Sequence, residues 1–415
     1  MKKIWETIKK IFSAHYAMER FGVLFISLSM CMVILLISIK IKVHNDNKQT
    51  LSEQVIYTTY VETSLTGQTG QVKGIYHNTD KTKCFVLLHF DDMSSLSINA
   101  EYYQMFVTGF STSQEQEALK KTPSGCIYVF GTTGYMGIYL ISSGGFEEQI
   151  LGVTVRCNKT LVNTTISNAS SLYMDSSFDS YDQFRFYFNP GGSQTTTAKC
   201  LDKERFDTFE LYEELVMKPQ EKAIRNQLMA DLETMYIIQG AMDEYEERVL
   251  REGVGSYSVP KQIDGDMIEL DDNGIYNLKT DYIIPGGIDI DWYNGSIHDG
   301  YLDNLKGDLS YTDYLNKLEA SGEQGDGFSS DIVWYMTDGS TFNGEEYSNV
   351  KLDDASYKEL SSAISLLANA WDDFYTIKQQ YQCTDLVSLL RIEKEAREAK
   401  SHYTINTSEN VLQAY

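Results

Sequence analysis

The chain has 415 residues and a formal net charge of −24, so its surface repels the phosphate backbone of nucleic acids and argues against a nucleic-acid-binding protein. Aromatic residues make up 12% of the chain, a content that argues against disorder. The length exceeds what one hydrophobic core normally supports, and it predicts two or three domains.

The most apolar segment lies near the N-terminus. Residues 21–39, FGVLFISLSMCMVILLISI, contain no charged side chain. At about 1.5 Å per residue, a helix of this length reaches roughly 28 Å, close to the hydrocarbon thickness of a bilayer. A cleaved signal peptide would have a shorter apolar run and an Ala-x-Ala-like site, which is missing after this segment. We therefore predict an uncleaved transmembrane helix.

Basic residues on the two sides of this segment predict its orientation. Five precede it (Lys2, Lys3, Lys9, Lys10 and Arg20) and three follow closely (Lys40, Lys42 and Lys48). The positive-inside rule then places residues 1–20 in the cytoplasm and the C-terminal bulk outside. Residues 1–42 have a net charge of +5, so the remaining residues have −29. Residues 40–54 are mostly polar, and we expect a linker there.

Short β-favouring runs separated by turn residues occupy the next part of the chain, residues 55–200. Two pairs of runs predict hairpins, because a short polar or glycine-containing turn joins each pair. The first pair is 72–76 with 84–89, and the second is 126–130 with 135–142. Further strands are predicted at 149–157 and 183–188. This many strands predicts a sandwich or an open barrel.

Residues 201–253 are predicted to form a helical stalk. Between 220 and 251 there is no proline and a single glycine, Gly240. Apolar residues recur every three or four positions and mostly fit the a and d places of a heptad, although Asp231 falls at a d place. We predict that this stripe binds another helix, including self-association through 219–251; the alternative is packing on its own domain. The stripe consists of Leu228, Met235, Ile238, Met242, Tyr245 and Val249.

The distal part of the chain changes composition twice. Residues 254–350 are rich in Asp, Gly, Asn and Tyr, and predict a small, loop-rich domain that contains β-structure. Residues 351–400 predict helices, the first of which has acidic residues in its first turn, and residues 401–415 are expected to be a loose tail. The predicted fold class is therefore α+β with one N-terminal transmembrane helix.

One short string resembles a catalytic motif. Residues 286–293, GGIDIDWY, resemble the strand-end signature of family 18 chitinases, in which alternating acids precede a general-acid glutamate. Here Gly286 stands where the first acid would be, and Tyr293 stands where the glutamate belongs. Glycoside cleavage of that kind needs the missing proton donor. The string therefore predicts no catalytic residue.

Other candidate sites are equally incomplete. Residues 269–274 copy the start of an EF-hand loop, but Thr280 occupies the position that requires a bidentate acid. Turn residues in an acidic protein explain the aspartates of this region, which are Asp264, Asp266, Asp271, Asp289 and Asp291. His89 lies beside Asp91 without an accompanying nucleophile motif. We predict no catalytic residue, cofactor or metal site.

The cysteines do not form a metal motif. Five follow the apolar segment without a C-x-x-C pair: Cys84, Cys126, Cys157, Cys200 and Cys383. Their number is odd, so their pairing stays open.

A single anchor, a β-rich module and a long amphipathic helix favour a protein that acts by binding. We predict a single-pass membrane protein with its bulk outside the cell, serving as a structural or assembly subunit of a bacterial cell-envelope complex such as a secretion or conjugation machine. Its expected partners are the membrane and other envelope proteins. The alternatives are a membrane-tethered protein that binds or hydrolyses wall glycan, and a surface adhesin or receptor.

Overall fold

The computed structural model describes residues 17–113, 115–159, 176–258, 268–274, 276–278, 301–321, 332–343 and 352–415, together with residues 6 and 9. It is a mixed α+β protein with one N-terminal apolar helix. The chain divides into two compact units. The β unit comprises residues 1–204 with 404–415, and the helical unit comprises residues 205–403.

Helix α1 (Ala17–Glu53) contains the apolar segment. It is long and apolar enough to cross a membrane, and the apolar side chains of its described part are exposed, with Phe21 at 71% and Leu36 at 56%. The helix does not end at Ile39, because it continues through the residues of the expected linker to Glu53. Residues 40–53 of the expected linker are therefore helical. Polar residues 44–53 contain no proline or glycine, so they extend a helix that is already nucleated.

Two sheets form the β unit. The first has the order β1-β2-β3-β7-β6-β16, with β10 beside β2, and the second has the order β17-β4-β8-β9, with β5 beside β4. The strands up to β9 are β1 (Tyr60–Glu62), β2 (Thr69–His77), β3 (Lys83–Phe90), β4 (Tyr103–Phe110), β5 (Gln116–Glu117), β6 (Ser124–Phe130), β7 (Tyr135–Ile141), β8 (Ile150–Cys157) and β9 (Asp182–Phe188). The three others are β10 (Thr196–Thr197), β16 (Tyr403–Asn406) and β17 (Leu412–Ala414).

Both predicted hairpins are confirmed. Strands β2 and β3 pair antiparallel, and so do β6 and β7. The predicted strands at 149–157 and 183–188 are β8 and β9, which also pair antiparallel. The runs of β-favouring residues and the turn residues between them were sufficient to find these elements.

The buried faces of the two sheets contribute to one hydrophobic core. Val86 and Leu88 of β3 belong to the same buried cluster as Met105 and Val107 of β4 and Phe186 of β9. Each of these side chains is 0% exposed. The core therefore consists of β-branched, aliphatic and aromatic residues that alternate along the strands.

The last residues of the chain are not a loose tail, which corrects that prediction. Strand β16 lies beside β6, and β17 pairs in parallel with β4. Val411 between them is 2% exposed and belongs to the core, and Asn406 donates a hydrogen bond of 2.9 Å to the carbonyl oxygen of Tyr103. The polar composition of residues 401–415 hid two short edge strands, whose stability comes from pairing with distant partners.

The helical unit is built around three long helical segments. Helix α2 (Thr208–Tyr212) leads through a π-helical turn (Glu213–Met217) into α3 (Lys218–Arg251). Helix α6 (Asp354–Gln379) leads through a second π-helical turn (Gln380–Asp385) into α7 (Leu386–His402). Helix α3 packs against α6 and α7. Asp353 caps α6 by accepting hydrogen bonds from the N–H groups of Ala355 and Ser356 at 3.0 and 2.8 Å, as its sequence predicts.

Shorter elements complete the helical unit. They are β11 (Val254–Tyr257), β12 (Ile268–Leu270), β13 (Tyr276–Leu278), α4 (Tyr301–Leu305), α5 (Tyr311–Ser321), β14 (Val333–Met336) and β15 (Thr341–Asn343). Strands β11, β14 and β15 form one small sheet, and β12 pairs with β13. The side chain of Glu393 is fully buried and accepts a hydrogen bond of 2.7 Å from the N–H of Leu302, so it ties α7 to α4.

Candidate functional site

The outer face of the second sheet carries a groove in the β unit. Strand β4 alternates, with Tyr103, Met105 and Val107 in the core and the intervening side chains partly exposed on the opposite face. A groove of about 1040 Å³ lies along this outer face. Its lining consists of Gln104, Phe106, Thr108, Phe110, Gln116, Gly152, Thr154, Arg156, Ser176, Ser177, Arg185, Tyr187, Gln413 and Tyr415.

Strand register brings together groove residues that are far apart in the sequence. Phe106 lies opposite Thr154, and Thr154 lies opposite Arg185. On the other side, Gln413 of β17 lies opposite Phe106. Opposed residues of neighbouring strands have side chains on the same face, so these four form one row across the groove.

Gly152 shapes the floor of the groove. A Cβ atom at this position would lie 2.5 Å from Cε2 of Phe110 and 3.0 Å from Cε1 of Tyr187. These two rings meet edge to face over the glycine, with their centroids 5.1 Å apart. The close approach of two aromatic rings to the sheet therefore requires the missing side chain.

Arg156 is held in a fixed orientation inside the groove. Its guanidinium carbon lies 4.3 Å from the ring centroid of Phe106 and 4.5 Å from that of Tyr181. Its Nε donates a hydrogen bond of 2.9 Å to Oε1 of Gln183. Among the described residues, its two terminal nitrogens have no hydrogen bond or ion pair. Two aromatic rings thus pack on the guanidinium, and its terminal N–H groups have no hydrogen-bond partner among the described residues.

Arg185 adds a second positive charge to the same face. Its Nε donates a hydrogen bond of 2.6 Å to Oγ1 of Thr154, and its guanidinium carbon lies 5.2 Å from the ring centroid of Phe178. The described lining contains two arginines and no acidic residue. In a chain with a net charge of −24, Arg156 gives the groove a positive charge that has no acidic partner among the described residues.

A smaller cavity adjoins the groove. It has a volume of about 400 Å³ and shares Phe110 and Tyr187 with the groove. Tyr57 also lines it, and burial raises the pKa of this phenol. The Tyr57 hydroxyl is buried and has no hydrogen-bond partner among the described residues. A polar ligand that enters this cavity would therefore meet an unused donor and acceptor.

The predicted partner-binding stripe faces the interior of its own unit to different degrees. Leu228, Met235 and Val249 are at most 1% exposed, so their side chains are buried within the chain. Ile238, Met242 and Tyr245 are half-buried. Because α3 packs on α6 and α7, packing on its own domain accounts for the three buried residues. Self-association through this helix stays a prediction.

Asp231, the residue that interrupts the heptad pattern, lies at a buried polar site on α3. Oδ1 of Asp231 accepts a hydrogen bond of 3.0 Å from Gln227, and Gln380 donates one of 2.8 Å to Oδ2 of Asp385. Burial, together with a hydrogen bond and the charge of the neighbouring Asp385, raises the pKa of Asp231 to about 6. The carboxyl group of Asp231 therefore keeps its proton to a higher pH than an ordinary aspartate does.

Residues 286–293, the string that resembles the chitinase signature, lie outside the described residues. Of the EF-hand-like string, Asp271 accepts a hydrogen bond of 2.9 Å from the N–H of Asn273, which is a turn interaction, and Thr280 lies outside the described residues. In the part of the chain that the structure describes, no group of three or more His, Cys, Asp or Glu side chains is arranged to hold a metal ion.

Histidine and cysteine residues have structural surroundings. Nδ1 of His89 lies 3.4 Å from Oδ1 of Asp91, and burial followed by the charge of Lys73 lowers the pKa of this imidazole. No disulfide joins the six cysteines, all of which lie in the described residues, and burial raises the pKa of Cys84, Cys126 and Cys157. A raised pKa reduces the thiolate fraction, so these three thiols are poorly reactive.

The comparisons with known proteins add no relative. No family model matches the chain, no curated protein matches it, and no solved structure matches it.

Sequence reasoning missed the groove. The only local signal was the alternation of polar and aromatic residues with apolar ones in β4, at Gln104, Phe106, Thr108 and Phe110. This pattern identifies an accessible sheet face, but it does not distinguish a binding face from an ordinary surface.

Proposed function

We propose that this chain is a single-pass membrane-anchored binding protein, with its N-terminus in the cytoplasm and its β unit outside. The groove on the second sheet is its binding site, and its role is that of a binding or assembly component of a cell envelope. The observation that carries this proposal is the groove itself, with Arg156 clamped between two aromatic rings and its terminal nitrogens open.

The anchor supports the location. Helix α1 has the length and apolar character for a membrane span, and its apolar side chains are exposed. The excess of basic residues before the apolar segment favours a cytoplasmic N-terminus. The acidic remainder of the chain is then the part that meets ligands outside the membrane.

The groove supports binding over cleavage. Glycoside hydrolysis normally uses two carboxyl groups that flank the scissile bond, about 5 to 10 Å apart. The described lining of the groove offers amides, hydroxyls, aromatic rings and arginines, without an Asp or Glu. These groups hold and orient a ligand, so the sandwich-like β unit acts as a recognition module. A surface receptor would use the same site with a soluble ligand.

Topology is tested by adding protease to intact cells and to broken cells. We expect the β unit to be digested in intact cells, since it lies outside. Protection in intact cells together with digestion in broken cells would show that the β unit lies inside. Recovery of the full chain in the soluble fraction would show that α1 does not anchor the chain in a membrane.

The groove is tested with the full-length chain carrying a photo-cross-linking residue at Gln104, which lies in the groove. A matched probe at Lys73, an exposed residue of β2 in the first sheet, controls for random encounters. We expect reproducible adducts from Gln104 that disappear when Gly152→Val fills the groove floor. Equal labelling from both positions, or labelling that Gly152→Val leaves unchanged, would contradict a binding role for the groove.

A further inference from the structure

We propose that the groove binds a saccharide that carries an isolated carboxylate, and that Arg156 binds this carboxylate. The inference rests on the proposed binding function of the groove and names the ligand class. Three features of the described residues lead to it: the unpartnered terminal nitrogens of Arg156, the amide and aromatic lining, and the blocked edges of the sheet.

The geometry of Arg156 selects a planar anion. Phe106 and Tyr181 both pack against the guanidinium, and Gln183 accepts the hydrogen bond from Nε. The terminal nitrogens are the part of the guanidinium that has no hydrogen-bond partner among the described residues. Two parallel N–H groups on these nitrogens match the two oxygens of a carboxylate, and the rings and Gln183 fix their direction before the ligand arrives.

The charge balance favours a ligand with few charges. Residues beyond 42 have a net charge of −29, so a densely charged polyanion is repelled by the chain as a whole. One carboxylate is sufficient to pair with Arg156, whose terminal nitrogens have no carboxylate partner among the described residues. The ligand is therefore weakly anionic, with one acidic group among neutral ones.

The other side chains of the lining favour a saccharide over a peptide. Gln104, Gln116 and Gln413 each offer an amide that donates and accepts hydrogen bonds, as sugar hydroxyls require. The ring of Tyr415, which is 62% exposed and stacks with Phe106 at a centroid distance of 6.4 Å, provides an apolar surface on which the C–H face of a pyranose ring can lie. Recognition by side chains on the face of the sheet suits such a ligand.

A peptide that adds a strand would need a free sheet edge, and both edges are restricted. At β9, the carbonyl oxygen of Tyr187 accepts hydrogen bonds from the N–H groups of Tyr57 and Thr58 at 3.0 and 3.2 Å, and that of Gln183 accepts one of 2.9 Å from Ser64. At the other edge, β17 is only three residues long. Strand addition is therefore disfavoured at this sheet.

The test measures binding of two disaccharides to the full-length chain in neutral detergent micelles by titration calorimetry. The probes are cellobiouronate, which carries one carboxylate, and cellobiose, which carries none. We expect cellobiouronate to bind at least about tenfold more tightly, because a charge-assisted hydrogen-bonded pair contributes this much. Added salt should weaken cellobiouronate binding and leave cellobiose binding unchanged.

Variants assign the difference to Arg156. Arg156→Gln should reduce the affinity for cellobiouronate to that for cellobiose, and Lys73→Gln, on the first sheet, should change neither. Gln413→Glu is a second variant that does not disturb the clamped arginine. It adds a negative charge at an exposed position of the groove and should weaken cellobiouronate binding alone.

The possible results distinguish an error in the ligand class from an error in the proposed binding function of the groove. Equal binding of both disaccharides, unaffected by Arg156→Gln and Gln413→Glu, would refute the claim that Arg156 binds a carboxylate of the ligand. If neither disaccharide binds and cross-linking from Gln104 is still lost in Gly152→Val, the ligand is not a saccharide of this kind, but the groove is still a binding site. Cross-linking insensitive to Gly152→Val would refute the proposed function itself.

Discussion

The carboxyl group of Asp231 gives a quantitative test of the forces inside the helical unit. Asp231 is 4% exposed, and its pKa is raised to about 6 by burial and by the neighbouring Asp385. Asp231→Asn keeps the size of the side chain and the acceptor for Gln227, removes the charge, and adds an N–H group that can donate to Asp385. We expect this variant to be more stable than the wild type at neutral and alkaline pH.

The sign and size of the effect follow from proton linkage. A pKa that is higher in the folded state than in the unfolded state means that the folded chain binds the proton more tightly, so stability is greatest at low pH and falls as the pH rises through the window from about 4 to about 6. With pKa values of about 6 when folded and about 3.9 when unfolded, the wild type loses about 1.4 kcal/mol of unfolding free energy between pH 5 and pH 8. The asparagine side chain does not titrate.

Urea unfolding at pH 5 and pH 8, followed by tryptophan fluorescence, measures this difference. Trp334 and Trp371 are buried in the helical unit and stacked with their centroids 5.9 Å apart, so their fluorescence reports on that unit. The advantage of Asp231→Asn over the wild type should be larger at pH 8 by about 1.4 kcal/mol. Glu233→Gln, an exposed change on the same helix, is the control. An advantage that is equal at both pH values, or larger at pH 5, would refute the reasoning.

Three further predictions concern the β unit. Burial lowers the pKa of His77 to about 4, so the folded chain resists a protonation that the unfolded chain accepts. The free energy of unfolding should therefore be highest above about pH 6.5 and should fall by about 2 kcal/mol by pH 5. Thermal unfolding at several pH values should show this contribution in the wild type and its loss in His77→Gln. The Asp182 carboxylate accepts three hydrogen bonds, from the N–H of Leu65 at 2.8 Å and from the N–H and hydroxyl of Thr66 at 3.2 and 2.8 Å. Because Asp182→Ala removes this acceptor, chemical denaturation should show that the free energy of unfolding falls by about 2 to 4 kcal/mol. A fall of less than about 1 kcal/mol would contradict this role. Val411→Asp places a charge in the core and should lower the free energy of unfolding by about 3 kcal/mol or more in the same assay. Glu409→Ala, at an exposed position, should leave the free energy of unfolding nearly unchanged. Equal stability of the two variants would mean that the C-terminal strands do not contribute to the stability of the β unit.

Local patterns predicted the elements whose stability is local. The two hairpins were found because their strands are adjacent in sequence and a short turn joins them. Strand β17 was missed because it pairs in parallel with β4, about 300 residues earlier, and its residues carry no strand signal of their own. The apolar segment predicted a helix but not its end, since no proline or glycine marks a stop between Ile39 and Glu53.

The candidate site could not be predicted for the same physical reason. The clamp on Arg156 needs Phe106 from β4 and Tyr181 from the residues before β9, and only the strand register brings them together. Asp231 shows the opposite case, because its position in the heptad pattern already marked it as exceptional. Its partner Asp385 comes from a π-helical turn 154 residues later, which no periodicity indicates.

The continuous helix also determines how the groove is presented in the proposed function. Between Ile39 and Glu53, α1 rises about 21 Å beyond the apolar segment. At its end, the carbonyl oxygen of Ser52 accepts hydrogen bonds from the N–H and hydroxyl of Ser193 at 2.7 and 2.9 Å, and Asn189 donates to the carbonyl oxygen of Leu51. The anchor and the second sheet therefore belong to one hydrogen-bonded unit. In the proposed topology, a flexible linker would let the groove sample many heights above the membrane. A hydrogen-bonded junction would limit this movement, which suits a ligand that is itself fixed in an envelope layer.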